Sequence, residues 1–455
     1  MSSGVLKVKD TGVPWLGAVP AHWRRMRLRD AVESCLNGVW GDEPRGDEND
    51  TPIIRVADFD RGSRRTFAHQ TVRNVAEEQR KTRELTSGDL LIEKSGGGEQ
   101  QSVGMVVEYT GPDGAVCSNF VARMRPRDGV RPRYLTYVHA HLYSRGVPTL
   151  SIKQSTGIQN LDSTAYLGEA LYLPPGDEQD AIASYLNVET ARIDELVADK
   201  ESLVETLKEL RRSTVAEAIT KGVGDARLMR PSELSWVNEM PSDWRTLSLK
   251  RLVRLSGGHT PATGNPAYWD GSVPWFSPKD MKSDELHDSI DHVTELAVAE
   301  SGLQVIEAGT TMIVVRGMIL AHTFPVCVSQ VEATINQDMK ALVPDEGVDA
   351  RYLPWLLRGA SALFLSLTEQ SAHGTMALRT DRFMSEKLPI PPLREQIKIV
   401  EHLEAERKRI DGLLAQIRQE IGLLKELRST TITDAVLGRI HVSDHAKNLR
   451  TRRAL

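Results

Sequence analysis

At 455 residues, with 57 Lys and Arg against 62 Asp and Glu, the chain has room for more than one domain and is nearly neutral, so local patches rather than net charge must decide on a nucleic-acid partner. Cys35, Cys117 and Cys327 lie far apart, which excludes a CxxC motif and a disulfide framework and fits a reducing cytoplasm. No apolar run nears the roughly 18 residues of a membrane span, and the start lacks the apolar core of a signal peptide, so a soluble cytoplasmic protein is expected.

In chain order, Trp15, Pro20, Trp23 and Leu28 come first, with Arg24, Arg25, Arg27 and Arg29 behind Trp23. Asn37-Gly38-Val39-Trp40-Gly41 reads as a loop, and Thr51-Pro52-Ile53-Ile54-Arg55 as a short strand entered from a proline. Ser87-Gly88-Asp89 then turns into a buried strand at Leu90-Leu91-Ile92. Ser118-Asn119 precede Phe120-Val121-Ala122, Tyr134-Leu135 opens a helix, and Ser155-Thr156-Gly157 closes the segment.

A long helical stretch follows, from about Pro174 to Lys221. It opens with Leu173-Pro174-Pro175 and Glu178-Gln179. Proline suits the first helical turn, where its missing N–H would be unpaired anyway, and glutamate there complements the helix dipole. Ile182, Leu186, Ile193, Leu196, Leu203, Leu207 and Leu210 step by threes and fours, with Glu189 and Lys200 in apolar slots. Such a pattern predicts a coiled-coil seam.

After Gly222-Val223-Gly224 the whole order returns. Trp236, Pro241, Trp244 and Leu249 repeat the opening at one constant offset, and Val273-Pro274-Trp275-Phe276-Ser277 repeats the proline strand. Ala308-Gly309-Thr310 leads into Thr311-Met312-Ile313, Ile335-Asn336 sits against Ser118-Asn119, and Tyr352-Leu353 opens a helix. Ala372-His373-Gly374 precedes Ile390-Pro391-Pro392 and Glu395-Gln396. The second seam runs through Ile399, Leu403, Ile410, Leu413, Ile417, Leu424 and Leu427, interrupted by Glu406 and Glu420. The expected division is 1–172, 173–222, 223–388 and 389–438, with a basic, disordered tail at 439–455. Mixed strand-and-helix domains thus alternate with long helices in an α+β chain. The domains differ most in their loops, where recognition on a rigid scaffold commonly sits.

No catalytic chemistry emerges. There is no phosphate-cradling GxxxxGK[ST], and no Asn-Pro-Pro-aromatic stretch that grips a flipped adenine. His139 and His141, two apart in a helix, fall on different faces and make poor joint metal ligands. Asp280-Met281-Lys282 and Asp338-Met339-Lys340 mimic half of a nuclease site but lack a paired upstream acid. Arg123, Arg125, Arg127, Arg131 and Arg133 form the densest basic cluster, a candidate for neutralising phosphates.

Two diverged domains, each followed by a long helix opening with Pro-Pro and Glu-Gln, resemble the specificity subunit of Type I restriction-modification systems. The resemblance runs from Trp15 to about Arg439. Its motifs include Arg192-Ile193-Asp194, Arg409-Ile410-Asp411, Pro20–Trp23, Pro241–Trp244 and Ser256-Gly257-Gly258-His259-Thr260-Pro261. It implies two target-recognition domains, each reading half of a split sequence in double-stranded DNA. The helices would pair as an antiparallel coiled coil that spaces them. It implies docking of two modification subunits, which bind S-adenosylmethionine and methylate adenine, and of restriction subunits using ATP and Mg²⁺. This chain would hold no cofactor, bind no metal and catalyse nothing.

Position beside glycine turns and strand ends, with side-chain chemistry, selects the expected DNA contacts. In the first domain these are Asn37, Trp40, Arg55, Lys94, Ser95, Arg123, Arg125, Lys153 and Gln154. In the second they are Gly258, His259, Thr260, Lys279, Arg316, His373 and Thr375. Trp15, Trp23, Trp236 and Trp244 are expected in packing. The competing reading is a non-catalytic protein-interaction scaffold on a coiled coil.

Overall fold

The computed structural model describes residues 7–67, 71–98, 101–155, 158–224, 227–370, 374–440 and 442. The chain divides into two compact units, Met1–Glu201 with Arg418–Leu455, and Ser202–Ile417. Each therefore holds one mixed domain and a share of both long helices, Gly176–Lys221 and Leu393–Val436. Among the described residues no helix is long and apolar enough to cross a membrane.

In the first unit a six-stranded sheet is ordered Val32–Asn37, Val121–Pro126, Leu90–Glu93, Val106–Glu108, Arg65–Thr66, Phe59–Asp60. Leu90–Glu93 lies inside it and is buried at every position, Leu90, Leu91 and Ile92 supplying the apolar run of an inner strand and Glu93 ending it. A smaller sheet places Asp50–Ile54 between Val116–Cys117, to which it is parallel, and Val72–Asn74. Helix Pro132–Ser144 begins on a proline and buries Tyr134, Leu135, Val138 and Leu142. Those residues share a core with Ile182 and Leu186 of one long helix and Ile432, Ala435 and Val436 of the other.

The second unit repeats this order. Its five-stranded sheet runs Val253–Gly257, Met339–Pro344, Thr311–Val314, Val326–Ser329, Glu285–Leu286. Its smaller sheet sets Trp269–Phe276 between Thr334–Ile335, again parallel, and Asp291–Val293. Helix Tyr352–Gly359 packs with Ile219, Ile399 and Leu403 in one core. The strands correct one alignment by a residue. Ser118 corresponds to Asn336, not Ile335, because the carbonyls of Cys117 and Ser118 meet Gly38 as those of Ile335 and Asn336 meet Gly258.

The long helices meet inside each unit. In the first, Arg428 Nε donates to Asp194 Oδ1 at 2.7 Å, Lys425 reaches Glu201 at 3.4 Å, and Lys200 pairs with Glu420. In the second, Arg211 reaches Asp411 at 3.3 Å. In the first unit, numbers fall on one helix as they rise on the other. Ile182, Leu186, Ile193, Leu207, Ile399, Leu403, Ile410 and Ile417 are buried as expected, and Leu424 is half-buried.

Leu196, Leu203, Leu210, Leu413 and Leu427 are not seam residues: they are 38, 45, 42, 37 and 48% exposed. Each stands one residue before the inward position, at Val197, Val204, Arg211, Leu414 and Arg428. Apolarity alone favoured the leucine stripe. Packing selects its neighbour, which carries the arginines that pair with Asp194 and Asp411.

Candidate nucleic-acid interface

The Glu-Gln dipeptide at each helix entrance fixes a domain to its helix. The Trp23 indole donates to Glu178 Oε2 at 2.8 Å, and Trp244 donates to Glu395 Oε2 at 2.9 Å. Both tryptophans are 2% exposed. The glutamines beside these acids are buried and fully engaged. Gln179 Oε1 accepts from Arg131 N at 2.8 Å while its amide donates to Gly129 O and Pro174 O. Gln396 does the same with Asp349 N at 2.8 Å, Gly347 O and Pro391 O. Each glutamine thereby ties the helix start to the loop entering the domain's own helix.

On this frame the loop Asn37–Trp40 crosses the chain at Cys117–Ser118, and Gly258–Thr260 crosses it at Ile335–Asn336. A Cβ on Gly38 or Gly258 would lie 2.0 Å from a carbonyl oxygen, so only glycine permits either crossing. Val39 N donates to Cys117 O at 2.8 Å and His259 N to Ile335 O at 3.0 Å.

In the first domain Trp40, Arg55 and Ser95 line one concavity of about 670 Å³, with Glu93, Asn119 and Phe120. The Arg73 guanidinium lies over the Trp40 ring at 4.7 Å. Lys94 Nζ donates to Asn37 Oδ1 at 2.8 Å, and Ser95 Oγ to Asn160 Oδ1 at 2.6 Å. Arg55 pairs with Asp58 at 3.1 Å, a bond that holds its guanidinium above the usual range. Lys153 is exposed and reaches Asp162 at 2.7 Å. Gln154 pairs through its backbone with Gln159. Glu93, Asn119 and Phe120 were missed by sequence reasoning. The signal for Glu93 was a charge ending an otherwise apolar buried run.

In the second domain Thr260 Oγ1 donates to Gln337, and Arg316 Nε to Asp338 Oδ1 at 2.8 Å. The Trp275 indole donates to His259 O at 3.0 Å, and Lys279 pairs with Asp291. Thr375 is half-exposed. His373 lies outside the described residues, as do Ala372, Thr156 and Gly157.

The arginine cluster is largely engaged within the domain, and burial takes Arg123 away from any phosphate. Arg123 is 6% exposed and donates to Glu84 O at 2.6 Å. Arg125 grips Asp89 through both oxygens, at 2.8 and 2.7 Å. Arg127 bonds Val32 O, while Arg131 and Arg133 reach Asp180 and Asn187 on the long helix. Arg131 and its partner Asp180 are each about half exposed, so that pair keeps a solvent face.

Other titratable groups also do internal work. His139 Nδ1 contacts Tyr166 Oη at 2.7 Å, and burial pushes its imidazole down to about 3. His141 bridges Thr433 and the Trp15 carbonyl. Asp280 accepts from Ser277 N at 2.8 Å, as Asp58 accepts from Arg55 N at 2.8 Å, so the nuclease-like acid closes a repeated turn.

Residues 241–423 match the Type I restriction modification DNA specificity domain. That match covers the second domain and most of the helix after it. The EcoR124I/EcoR124II specificity subunit of Escherichia coli is 33% identical over 41% of this chain, and the match spans 45% of that subunit. The StySPI specificity subunit of Salmonella potsdam is 20% identical over 95% of this chain and 92% of its own length. A solved chain from a study of complex assembly and conformational transition of the type I R-M system shares the fold. Its TM-score is 0.71 at 17% identity, over 93% of this chain and 99% of that one. In this chain the entrance motifs bind domain to helix, while the loops crossing at Gly38 and Gly258 differ between the domains.

Proposed function

We propose that this chain is the DNA sequence-specificity subunit of a Type I restriction-modification complex. Two duplicated recognition domains read the halves of a split duplex target, and the long helices pair as an antiparallel coiled coil that sets the spacing. The chain is not itself an enzyme. Modification subunits supply S-adenosylmethionine-dependent adenine methylation, restriction subunits use ATP and Mg²⁺, and the assembly works in the cytoplasm.

The observation that carries this reading is the repeated strand order on repeated entrance clamps, with different residues at the tips of equivalent loops. A common scaffold with unlike loops suits two related readers of unlike sequences. The specificity-domain match over residues 241–423 supplies the chemistry of what is read. The exposed stripe Leu196, Leu203 and Leu210 supports a protein partner on the helices as well.

The test is a map of methylated adenines in the host with and without the gene. A split motif that vanishes on deletion is the expected result. An unchanged map, with the other subunits expressed, would favour the scaffold reading. Binding to duplex DNA by the assembled complex should weaken steeply as salt rises, because each neutralised phosphate releases counterions.

A further inference from the structure

The concavity beside Trp40 carries an ionisable group that the domain leaves unsatisfied. Glu93 ends Leu90–Glu93, is 2% exposed, and lines the cavity. Its Oε2 is buried without a hydrogen-bond partner. Burial raises its carboxyl, offset in part by the charge of Arg61. An orphan buried oxygen of this kind is costly and calls for a reason. The volume of about 670 Å³ falls within the span of small-ligand sites. Trp40 and Phe120, 36 and 46% exposed, present aromatic surface beside the opening.

We infer that this concavity faces the major-groove edge of one base of the half-site read by the first domain, and that Glu93 accepts a hydrogen bond from its exocyclic amino group. The inference rests on the specificity-subunit reading above. A carboxylate only accepts, so it selects bases that present a donor. On the major-groove edge adenine offers N6 and cytosine N4, whereas the oxygens of guanine and thymine repel it. The apolar surfaces of Trp40 and Phe120 carry no donor or acceptor code, so discrimination falls to the carboxylate. The second domain has no counterpart. Val314 faces Met339 in the register where Glu93 faces Val121, and the selection therefore applies to one half-site only.

The test uses the complete complex with its modification subunits. Methylation mapping of the wild type first supplies both half-sites; no split motif at that stage would overturn the specificity reading itself. Duplexes are then made in which each adenine or cytosine in turn is replaced by purine or 2-pyrimidinone, which lack the amino group. The wild type should lose about tenfold in affinity at one position of one half-site, equivalent to about 1.4 kcal/mol. Glu93→Leu, similar in size and without an acceptor oxygen, should show no such loss there. A wild type insensitive at every position, or a Glu93→Leu complex with the full tenfold loss, overturns the inference and leaves the specificity reading standing. If Glu93→Leu melts early, Glu93→Asp replaces it. Withdrawing the acceptor by one methylene should shrink the loss at that position, and an undiminished loss overturns the inference.

Discussion

Trp23 and Glu178 meet through one hydrogen bond, indole N–H to carboxylate oxygen at 2.8 Å, although 155 residues separate them. Trp244 and Glu395 form its duplicate at 2.9 Å. The bond joins the entrance of each domain to the first turn of the helix that follows it. Each bond seats a domain on its helix, while the loops at Gly38 and Gly258 differ.

Replacing Trp23 with Phe should remove this bond and retain most of the buried ring. Hydrogen bonds to charged groups contribute about 1.5–3 kcal/mol, so a loss in that range is expected in chemical denaturation. In a double-mutant cycle with Glu178→Gln the two losses should be strongly non-additive. Full additivity would mean the contact is energetically idle.

Gln396→Ala should destabilise the second unit by about 1–3 kcal/mol, because it orphans the Asp349 N–H and two carbonyls at once. Hydrogen exchange should show the helix entrance and the loop at Gly347–Asp349 opening together. Opening confined to the helix would contradict the proposed tie.

Gly38→Ala places a methyl 2.0 Å from Cys117 O, so the loop carrying Trp40 must move or the strand must yield. Overpacking of this kind costs about 1–3 kcal/mol or more. Methylation mapping should show loss or relaxation of a single half-site. Gly258→Ala should affect the other half-site, and identical effects from both would argue against independent readers.

His139 supplies a pH dependence. Its imidazole sits at about 3 when folded, against about 6.5 in an unfolded chain. Between those values the unfolded state holds the extra proton, so stability falls as pH drops below about 6.5, by at most about 1.4 kcal/mol per unit. Thermal melts from pH 7 to 4.5 should show a shallower decline for His139→Gln. Parallel declines would assign the acid sensitivity to other groups.

The recurring order of motifs, the helix entrances and the approximate helix extents were legible in the sequence. Repeated motifs at a constant offset and a local helical period are properties of the chain itself. Several expected loop residues do converge: Trp40, Arg55 and Ser95 line one cavity, because each lies just past a strand end, at Asn37, Ile54 and Glu93. Tertiary structure decided the rest. It chose Val204 over Leu203 for the helix interior, since adjacent apolar residues offer two stripes and only a partner surface selects one. It spent Arg123 and Arg125 on Glu84 and Asp89, about forty residues away in sequence. It also left Glu93 buried with an unpaired oxygen. Whether a charge meets water, a carbonyl or nothing depends on contacts between distant segments, and the order of residues does not fix those contacts.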